Sequence, residues 1–99
     1  MKGMRAYLIP TTYVNKGVDV GTSSTKVLDA NPGRRYAAFF NDSNTTIYLA
    51  FGEAAAVGEG VRIPPDGVYE VTWNNPLTAA VYAVHGGTGT KRLTVIEAS

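Results

Sequence analysis

The sequence holds few side chains that could perform catalysis: one histidine, His85, and no cysteine. A hydrolase triad would need the histidine beside a serine and an acid. None of the serines lies in a G-x-S-x-G turn: Ser23, Ser24, Ser43 and Ser99. Because His85 ends an apolar run just before "GGTG", we predict a strand-end side chain with its ring in water and no catalytic role.

Two polar segments share some features with ligand-binding loops but lack the essential ones. The segment "GGTGTK", 86–91, lacks the ending of a phosphate-binding loop and precedes a strand-like run instead of a helix. We interpret it as a glycine-rich hairpin loop. The segment "NDSN", 41–44, offers one carboxylate, which is too few for calcium, so we predict a turn. Glu53 and Glu59 flank a flexible loop and do not form a credible acid/base pair.

Arginine and aromatic side chains could bind phosphate or sugar. Arg34 and Arg35 suit phosphate, but we favour a surface role in which one caps a strand edge or pairs with Asp29. Trp73 and Tyr69 could form a sugar-stacking platform, although core positions are the favoured interpretation. The sequence therefore predicts a protein that is not an enzyme, with no catalytic residue, no cofactor and no metal site.

Length and charge limit the remaining classes of function. The chain has 99 residues, which favours one domain, and its net charge of +1 argues against nucleic-acid binding. Residues 1–26 carry four basic residues against one acid, whereas the rest of the chain carries five against seven. No run approaches the roughly 20 apolar residues of a membrane helix, and the first residues lack the apolar core of a secretion signal. We expect no membrane association.

Short strand-like runs and turns alternate along nearly the whole chain. The runs are rich in Val, Ile, Thr, Tyr and Phe, and turns such as "PPDG" separate them at roughly 8–12 residues. This pattern predicts an all-β fold, a small antiparallel β-sandwich of the jelly-roll-like or Ig-like kind. The predicted strands are 4–9, 11–15, 22–29, 35–41, 46–51, 60–63, 68–74, 79–85 and 91–97. The best helical candidate, within 52–60, is predicted to be an exposed loop with at most one helical turn.

Several predicted strands are apolar on both faces. One face of 46–51 carries the side chains that we assign to the core, Ile47, Leu49 and Phe51. The opposite face carries Tyr48 and Ala50, and we predict that a protein neighbour covers it. Residues 31–52 as a whole are interpreted as a β-hairpin with "NDSN" as its turn. Likewise, in 36–40 the side chains of Tyr36, Ala38 and Phe40 oppose those of Ala37 and Phe39, so both faces are apolar. In a domain of two layers, some of these second faces must be covered by a loop, an arm or a partner.

The first 21 residues differ from the rest, with three glycines, one proline and an excess of basic residues. They form either an arm that adds a strand to a neighbour's sheet or the first strands of the domain itself. Residues 22–99 are predicted to be the β-sandwich domain. The candidate contact residues for a partner are Arg5, Tyr7, Tyr13, Lys16, Tyr48 and Tyr82.

Four segments in a fixed order carry a resemblance to a known group: "NPGRRYAAFFNDSNTTIYLAFG", "GVRIPPDGVYEV", "NNPLTAAVYAV" and "RLTVIE". Between about Val27 and Glu97 the chain resembles small β-sandwich proteins from the structural-gene modules of tailed bacteriophages. The resemblance implies a virion component, a capsid decoration (cement) protein, made in the host cytoplasm and bound to the major capsid protein on the capsid surface. It implies a homo-oligomer, expected to be a dimer or trimer, and no catalytic residues.

Two other functions are compatible with the sequence. One is a carbohydrate-binding β-sandwich module that uses Trp73 and tyrosines on an exposed sheet face. The other is a domain of a head or tail fibre. A decoration protein needs a rigid scaffold with exposed aromatic contact residues, and tyrosine is favoured in such contacts; the chain has six tyrosines.

Overall fold

The computed structural model describes residues 9–72, 74 and 77–99. Within these residues every regular element is a β-strand, so the predicted all-β class is confirmed. The strands are β1 Tyr13–Val20, β2 Thr25–Leu28, β3 Tyr36–Asn41, β4 Ile47–Phe51, β5 Val61–Ile63, β6 Val68–Val71, β7 Val81–His85 and β8 Lys91–Ala98. The predicted strand 4–9 lies outside the described residues except for its last residue. The strand predicted at 11–15 begins and ends later because its length is set by unbroken pairing with β8.

The strands form two four-stranded antiparallel sheets. Sheet A has the order β1-β8-β3-β6 and sheet B the order β2-β7-β4-β5. Strand β1 therefore pairs with β8, β2 with β7, β3 with β6 and β4 with β5. This nested pairing, with successive strands mostly placed in opposite sheets, is the topology of a jelly roll.

The core lies between the two sheets and is built by the inward-facing half of each strand. Ile47 and Leu49 are fully buried, and Phe51 packs against the core, which confirms the predicted core face of β4. Phe51 contacts Phe39 of sheet A edge-to-face, with ring centroids 6.4 Å apart. Burial of a large apolar side chain is worth roughly 1.5–3 kcal/mol, so these contacts hold the two sheets together.

The interpretation of residues 31–52 as a hairpin is wrong, because β3 belongs to sheet A and β4 to sheet B. The polar residues between them cross from one sheet to the other. Asn41 is buried, and its side-chain amide donates hydrogen bonds to the carbonyls of Thr45 (2.8 Å) and Ile63 (2.9 Å). Its Oδ1 accepts from the backbone N–H of Ser43 at 3.1 Å. The buried amide of Asn41, with its hydrogen bonds satisfied, thus fixes the path of the chain from sheet A to sheet B.

The predictions for His85 and the loop after it are also wrong in part. The His85 side chain is fully buried, not in water, because both ring nitrogens have backbone partners in the following loop. The loop 86–90 connects sheet B to sheet A instead of closing a hairpin. Glycine is favoured at one position of this loop, since Gly89 has a φ of 69°.

Arg34 is buried, which contradicts its predicted place at the surface. Its Nε donates to Glu97 of β8 at 2.7 Å, and the side chain is fully inaccessible. The remaining guanidinium nitrogens donate to three backbone carbonyls, those of Leu77 (2.5 Å), Ala79 (2.9 Å) and Asp29 (2.8 Å). Only such complete pairing makes burial of an arginine tolerable. Arg34 therefore ties the end of β8 in sheet A to the segments that flank β2 and β7 in sheet B.

Candidate functional site: the outer faces of the two sheets

The outer side of sheet A carries a row of apolar and aromatic side chains. In an antiparallel pair, directly opposed residues share a face. Because Phe39 and Val95 are fully buried on the inner side, the residues that alternate with them point outward. We call this surface face A, and define it by Tyr13, Tyr36, Ala38, Phe40, Val68 and Ile96.

Face A is open to solvent in the described structure. Tyr13 is 61% exposed, Val68 52% and Phe40 36%. Ala38 is opposite Ile96 and is itself fully buried, so the centre of the surface is shallow and flat. Exposed apolar side chains on one sheet face mark contact surfaces more often than they mark catalytic sites.

Polar groups surround this apolar centre. The Tyr36 hydroxyl donates to Glu70 Oε2 at 2.5 Å, and this hydrogen bond raises the pKa of the Tyr36 phenol above its ordinary value. Arg92 pairs with Asp19 at 3.7 Å at one end of the face. An apolar centre with a polar rim is the usual anatomy of a protein–protein interface.

The outer side of sheet B differs from that of sheet A in how much of its apolar surface is exposed. By the same register rule, its outward-facing residues are Lys26, Tyr48, Ala50, Arg62, Tyr82 and Val84, and we call this surface face B. Val84 is only 3% exposed although it points away from the core. Something must therefore cover it.

The cover is the connection between β4 and β5, residues 52–60. It leaves β4 next to Val81, and the N–H of Ala55 reaches the Ser24 hydroxyl, beside the far edge strand, at 2.9 Å. The side chain of Val57 lies next to the backbone of Gly86. Since the inner side of the sheet is filled by the core, this path runs across face B. The predicted exposed loop is confirmed, without a helical turn.

The loop returns to the sheet at Gly60, where only glycine fits. Gly60 has a φ of +84°, and a Cβ there would lie 2.1 Å from the Leu49 carbonyl oxygen. Between loop and sheet is a cavity of about 110 Å³, lined in part by Ala50, Glu53 and Glu59. Sites for small organic ligands are usually roughly 300 Å³ or more, so this space is too small for one.

The predicted contact residues do not form one site. Tyr13 lies on face A, whereas Tyr48 and Tyr82 are half-buried on face B, on the opposite side of the sandwich. Lys16 is exposed on edge strand β1. Arg5 and Tyr7 lie outside the described residues.

The open surface contains residues that the sequence-based selection missed, Phe40, Val68 and Ile96. The alternation of β3 already showed Tyr36, Ala38 and Phe40 on one apolar face. It could not show that Val68 and Ile96 lie beside them, since those contacts join distant parts of the chain.

The described part of the chain gives little support to the metal site and the sugar-stacking platform that were considered from the sequence. No three His, Asp or Glu side chains there are grouped as a metal site would require. Tyr69 faces the core and contacts Phe51, with ring centroids 6.2 Å apart, and Trp73 lies outside the described residues. No helix able to cross a bilayer occurs among the residues described.

Comparisons with known proteins give a fold but no family. No family model matches the chain, and no curated protein sequence matches it. Among solved structures, it is similar to a protein from Bacillus endospore appendages, described as a novel family of disulfide-linked pili. The TM-score is 0.54 at 11% sequence identity, over 89% of this chain and 85% of that chain. At such low identity the likeness supports the β-sandwich architecture alone.

Proposed function

We propose that this protein is a structural virion component, a capsid decoration protein that binds the major capsid protein through face A. The observation that carries the proposal is the contrast between the two outer faces. Face B is crossed and partly covered by the chain's own loop, whereas face A leaves Tyr13, Phe40 and Val68 in solvent. Covering such side chains with a partner recovers apolar burial worth roughly 25 cal/mol per Å².

The shape of face A favours a protein partner over a small ligand. Face A is a flat surface of a β-sheet. The cavity between the loop 52–60 and sheet B lies on the other side of the sandwich. The exposed aromatic residues of face A, Tyr13 and Phe40, are of the kind enriched in interfaces. The polar rim formed by Glu70, Asp19 and Arg92 would fix the orientation of the partner.

The fold is consistent with this function without specifying it. Jelly rolls occur in viral capsid proteins and in lectins alike, and a fold does not determine a function. The resemblance to phage structural proteins favours the first of these. The carbohydrate-binding alternative is less favoured, because Tyr69, one half of the predicted stacking platform, faces the core.

A fibre domain is the second candidate function. It is favoured by the similarity to a pilus-forming protein, since that protein also assembles into a larger structure. These 99 residues contain no cysteine, so they cannot form the disulfide links named for that protein. Copy number per particle separates the two functions, because a decoration protein covers the shell and a fibre occupies few positions.

A matched pair of valines tests the docking face. Val68 on face A and Val57 on the loop over face B are both 52% exposed. Purified wild-type protein and the variants Val68→Lys and Val57→Lys are added to capsid shells that lack the protein, and bound protein is quantified after sedimentation. We expect wild type and Val57→Lys to bind equally, and Val68→Lys to bind at least about tenfold more weakly because its charge would be desolvated.

Two results would contradict the proposal. Equal binding of both variants would remove face A as the docking surface. Failure of the wild-type protein to bind shells, together with unchanged thermal stability of the shells, would remove the decoration function itself. The mass of the free protein in solution tests the expected dimer or trimer.

A further inference from the structure

The one histidine of the chain connects the end of β7 to the loop that follows it. The N–H of Gly87 donates to His85 Nδ1 at 3.0 Å, and His85 Nε2 lies 2.7 Å from the carbonyl oxygen of Gly89. The side chain is fully buried. The imidazole therefore holds the loop 86–90 at two points, on either side of Thr88.

These two contacts require one protonation state of the ring. Because Gly87 supplies a hydrogen, Nδ1 must accept it and carries no proton of its own. Since the Gly89 carbonyl can only accept, Nε2 must carry the proton and donate it. Only the neutral Nε2–H tautomer satisfies both contacts. Protonation would place a second hydrogen between Nδ1 and the Gly87 N–H, and that hydrogen bond would be lost.

Within the described part of the chain, no acidic side chain hydrogen-bonds to or pairs with the His85 ring. From β4, Ile47 is opposite His85, and in the segment before β2 the Gly21 carbonyl accepts from the His85 backbone. The basic residues of β2 and β5 point outward on face B. A buried cation without a partner is strongly disfavoured.

Other charged side chains near this end of the sandwich are engaged elsewhere. Asp42 accepts a hydrogen bond from the Thr94 hydroxyl on the outer side of sheet A. Lys91 donates to an asparagine side chain at 3.2 Å. On β1, Asp19 is exposed and pairs with an arginine of β8. None of these groups hydrogen-bonds to the His85 ring.

We propose that His85 is a pH-sensitive latch for the loop 86–90. The neutral ring holds the loop at both Gly87 and Gly89, and protonation releases its Gly87 end while the Nε2–H donor to Gly89 remains. The latch is therefore closed while His85 is neutral, and its Gly87 contact is lost when the ring is protonated. Because Gly87 lies next to the Thr45 side chain, release of the loop also loosens the crossing between β3 and β4.

Amide hydrogen exchange and imidazole NMR on the ¹⁵N-labelled protein test this directly, over roughly pH 8 to pH 4.5, where histidine changes charge. We expect the Nε2–H tautomer at neutral pH. On titration of His85, protection of the Gly87 amide, corrected for intrinsic exchange, should fall about fivefold to tenfold, as expected for the loss of a hydrogen bond. Protection of Leu49 in the core should not change over this range.

The variant His85→Gln provides the control, since its amide oxygen and nitrogen can replace the acceptor and the donor without titrating. Its Gly87 protection should show no step between the two pH values. The latch would be refuted if Gly87 stayed protected while the wild-type ring became charged. It would also be refuted if wild-type Gly87 lost no protection before global acid unfolding. Both results come from the wild-type protein alone, so the test stands even if the variant does not fold.

Discussion

Face A and face B are the outer surfaces of the two four-stranded sheets of one sandwich. The loop 52–60 crosses face B, whereas face A is uncovered in the described structure. Both carry apolar side chains that point away from the core. On face B, which the loop 52–60 crosses, Val84 is 3% exposed, whereas on face A Val68 is left half in solvent. The fold therefore tolerates an uncovered apolar face. Within the described structure, face A is therefore the outer surface that is available for the contact proposed above.

The length and the glycines of the β4–β5 connection allow it to cross face B. The β4–β5 connection is long and contains Gly52, Gly58 and Gly60, all with positive φ, so it can leave the sheet and return. The β5–β6 connection that leads into sheet A is the short turn 64–67, in which Asp66 has a φ of 63°. A turn of that length reaches the next strand and cannot extend over the sheet.

The largest expected effect concerns the ion pair that joins the sheets beneath both faces. Arg34→Met leaves the buried Glu97 carboxylate unpaired and should lower the free energy of unfolding by about 3–5 kcal/mol, as measured by urea denaturation. The double variant Arg34→Met/Glu97→Leu should recover part of this loss, since no unpaired charge is left. Lys26→Met, which removes an exposed ion pair, serves as the control and should leave stability nearly unchanged. An equally small effect at Arg34 would show that the sheets do not depend on this contact.

The next effect tests how the loop closes face B. Gly58 and Gly60 have nearly the same φ, +85° and +84°, but only Gly60 lies against backbone. Gly58→Ala should cost about 1 kcal/mol for the left-handed conformation. Gly60→Ala should cost about 2–4 kcal/mol, because its Cβ would also overlap the Leu49 carbonyl. Thermal unfolding of the two variants gives the comparison, and equal losses would contradict the described path of the loop.

The same substitution on both faces measures the difference between them. Val84→Ala should lower the free energy of unfolding by about 1–2 kcal/mol, because the side chain is buried beneath the loop. Val68→Ala should change it by less than about 0.5 kcal/mol, as is usual at the surface. The denaturant midpoints of the two variants, measured on the free protein, show which substitution lowers the free energy of unfolding more. If Val68→Ala cost as much as Val84→Ala, face A would already be covered in the unbound state.

The smallest effect concerns the polar rim of face A. The hydrogen bond to the Glu70 carboxylate raises the pKa of Tyr36, so Glu70→Gln should lower that pKa toward about 10, the ordinary value for tyrosine. The contribution of this contact to stability is complete below the ordinary value and disappears as the pH rises through the raised pKa of Tyr36. A ¹³C NMR titration of the tyrosine ring carbons follows this group. An unchanged Tyr36 titration in the variant would show that Glu70 does not control it.

Local patterns in the sequence predicted the class of fold and the inner faces of strands. Alternation placed Ile47 and Leu49 in the core because the period of a strand is two. The same local patterns gave wrong predictions where the structure depends on a contact with a residue that is far away in the sequence. A polar turn between two apolar runs is compatible with either a hairpin or a crossing between sheets, and the crossing at Asn41 depends on the Ile63 carbonyl. The burial of Arg34 depends on Glu97, 63 residues away.

Candidate contact residues were harder to predict than the core. Tyrosine content pointed to Tyr13, which lies on face A, and to Tyr48 and Tyr82, which lie on face B. Residue type alone does not reveal which outer face the chain covers itself. That depends on the path of the loop 52–60, which is anchored at Ser24, 31 residues from Ala55.

The nested order of the strands has a consequence for how the protein folds. Among the described strands, β4 and β5 are the one consecutive pair that are neighbours in a sheet. Every other pairing closes a longer stretch of chain, up to the contact of Tyr13 with Ala98, and β proteins with such distant pairings fold in about milliseconds to seconds. Because β8 lies between β1 and β3, sheet A cannot be completed until residues 91–98 have left the ribosome. Face A is therefore the last surface of the domain to be completed during synthesis.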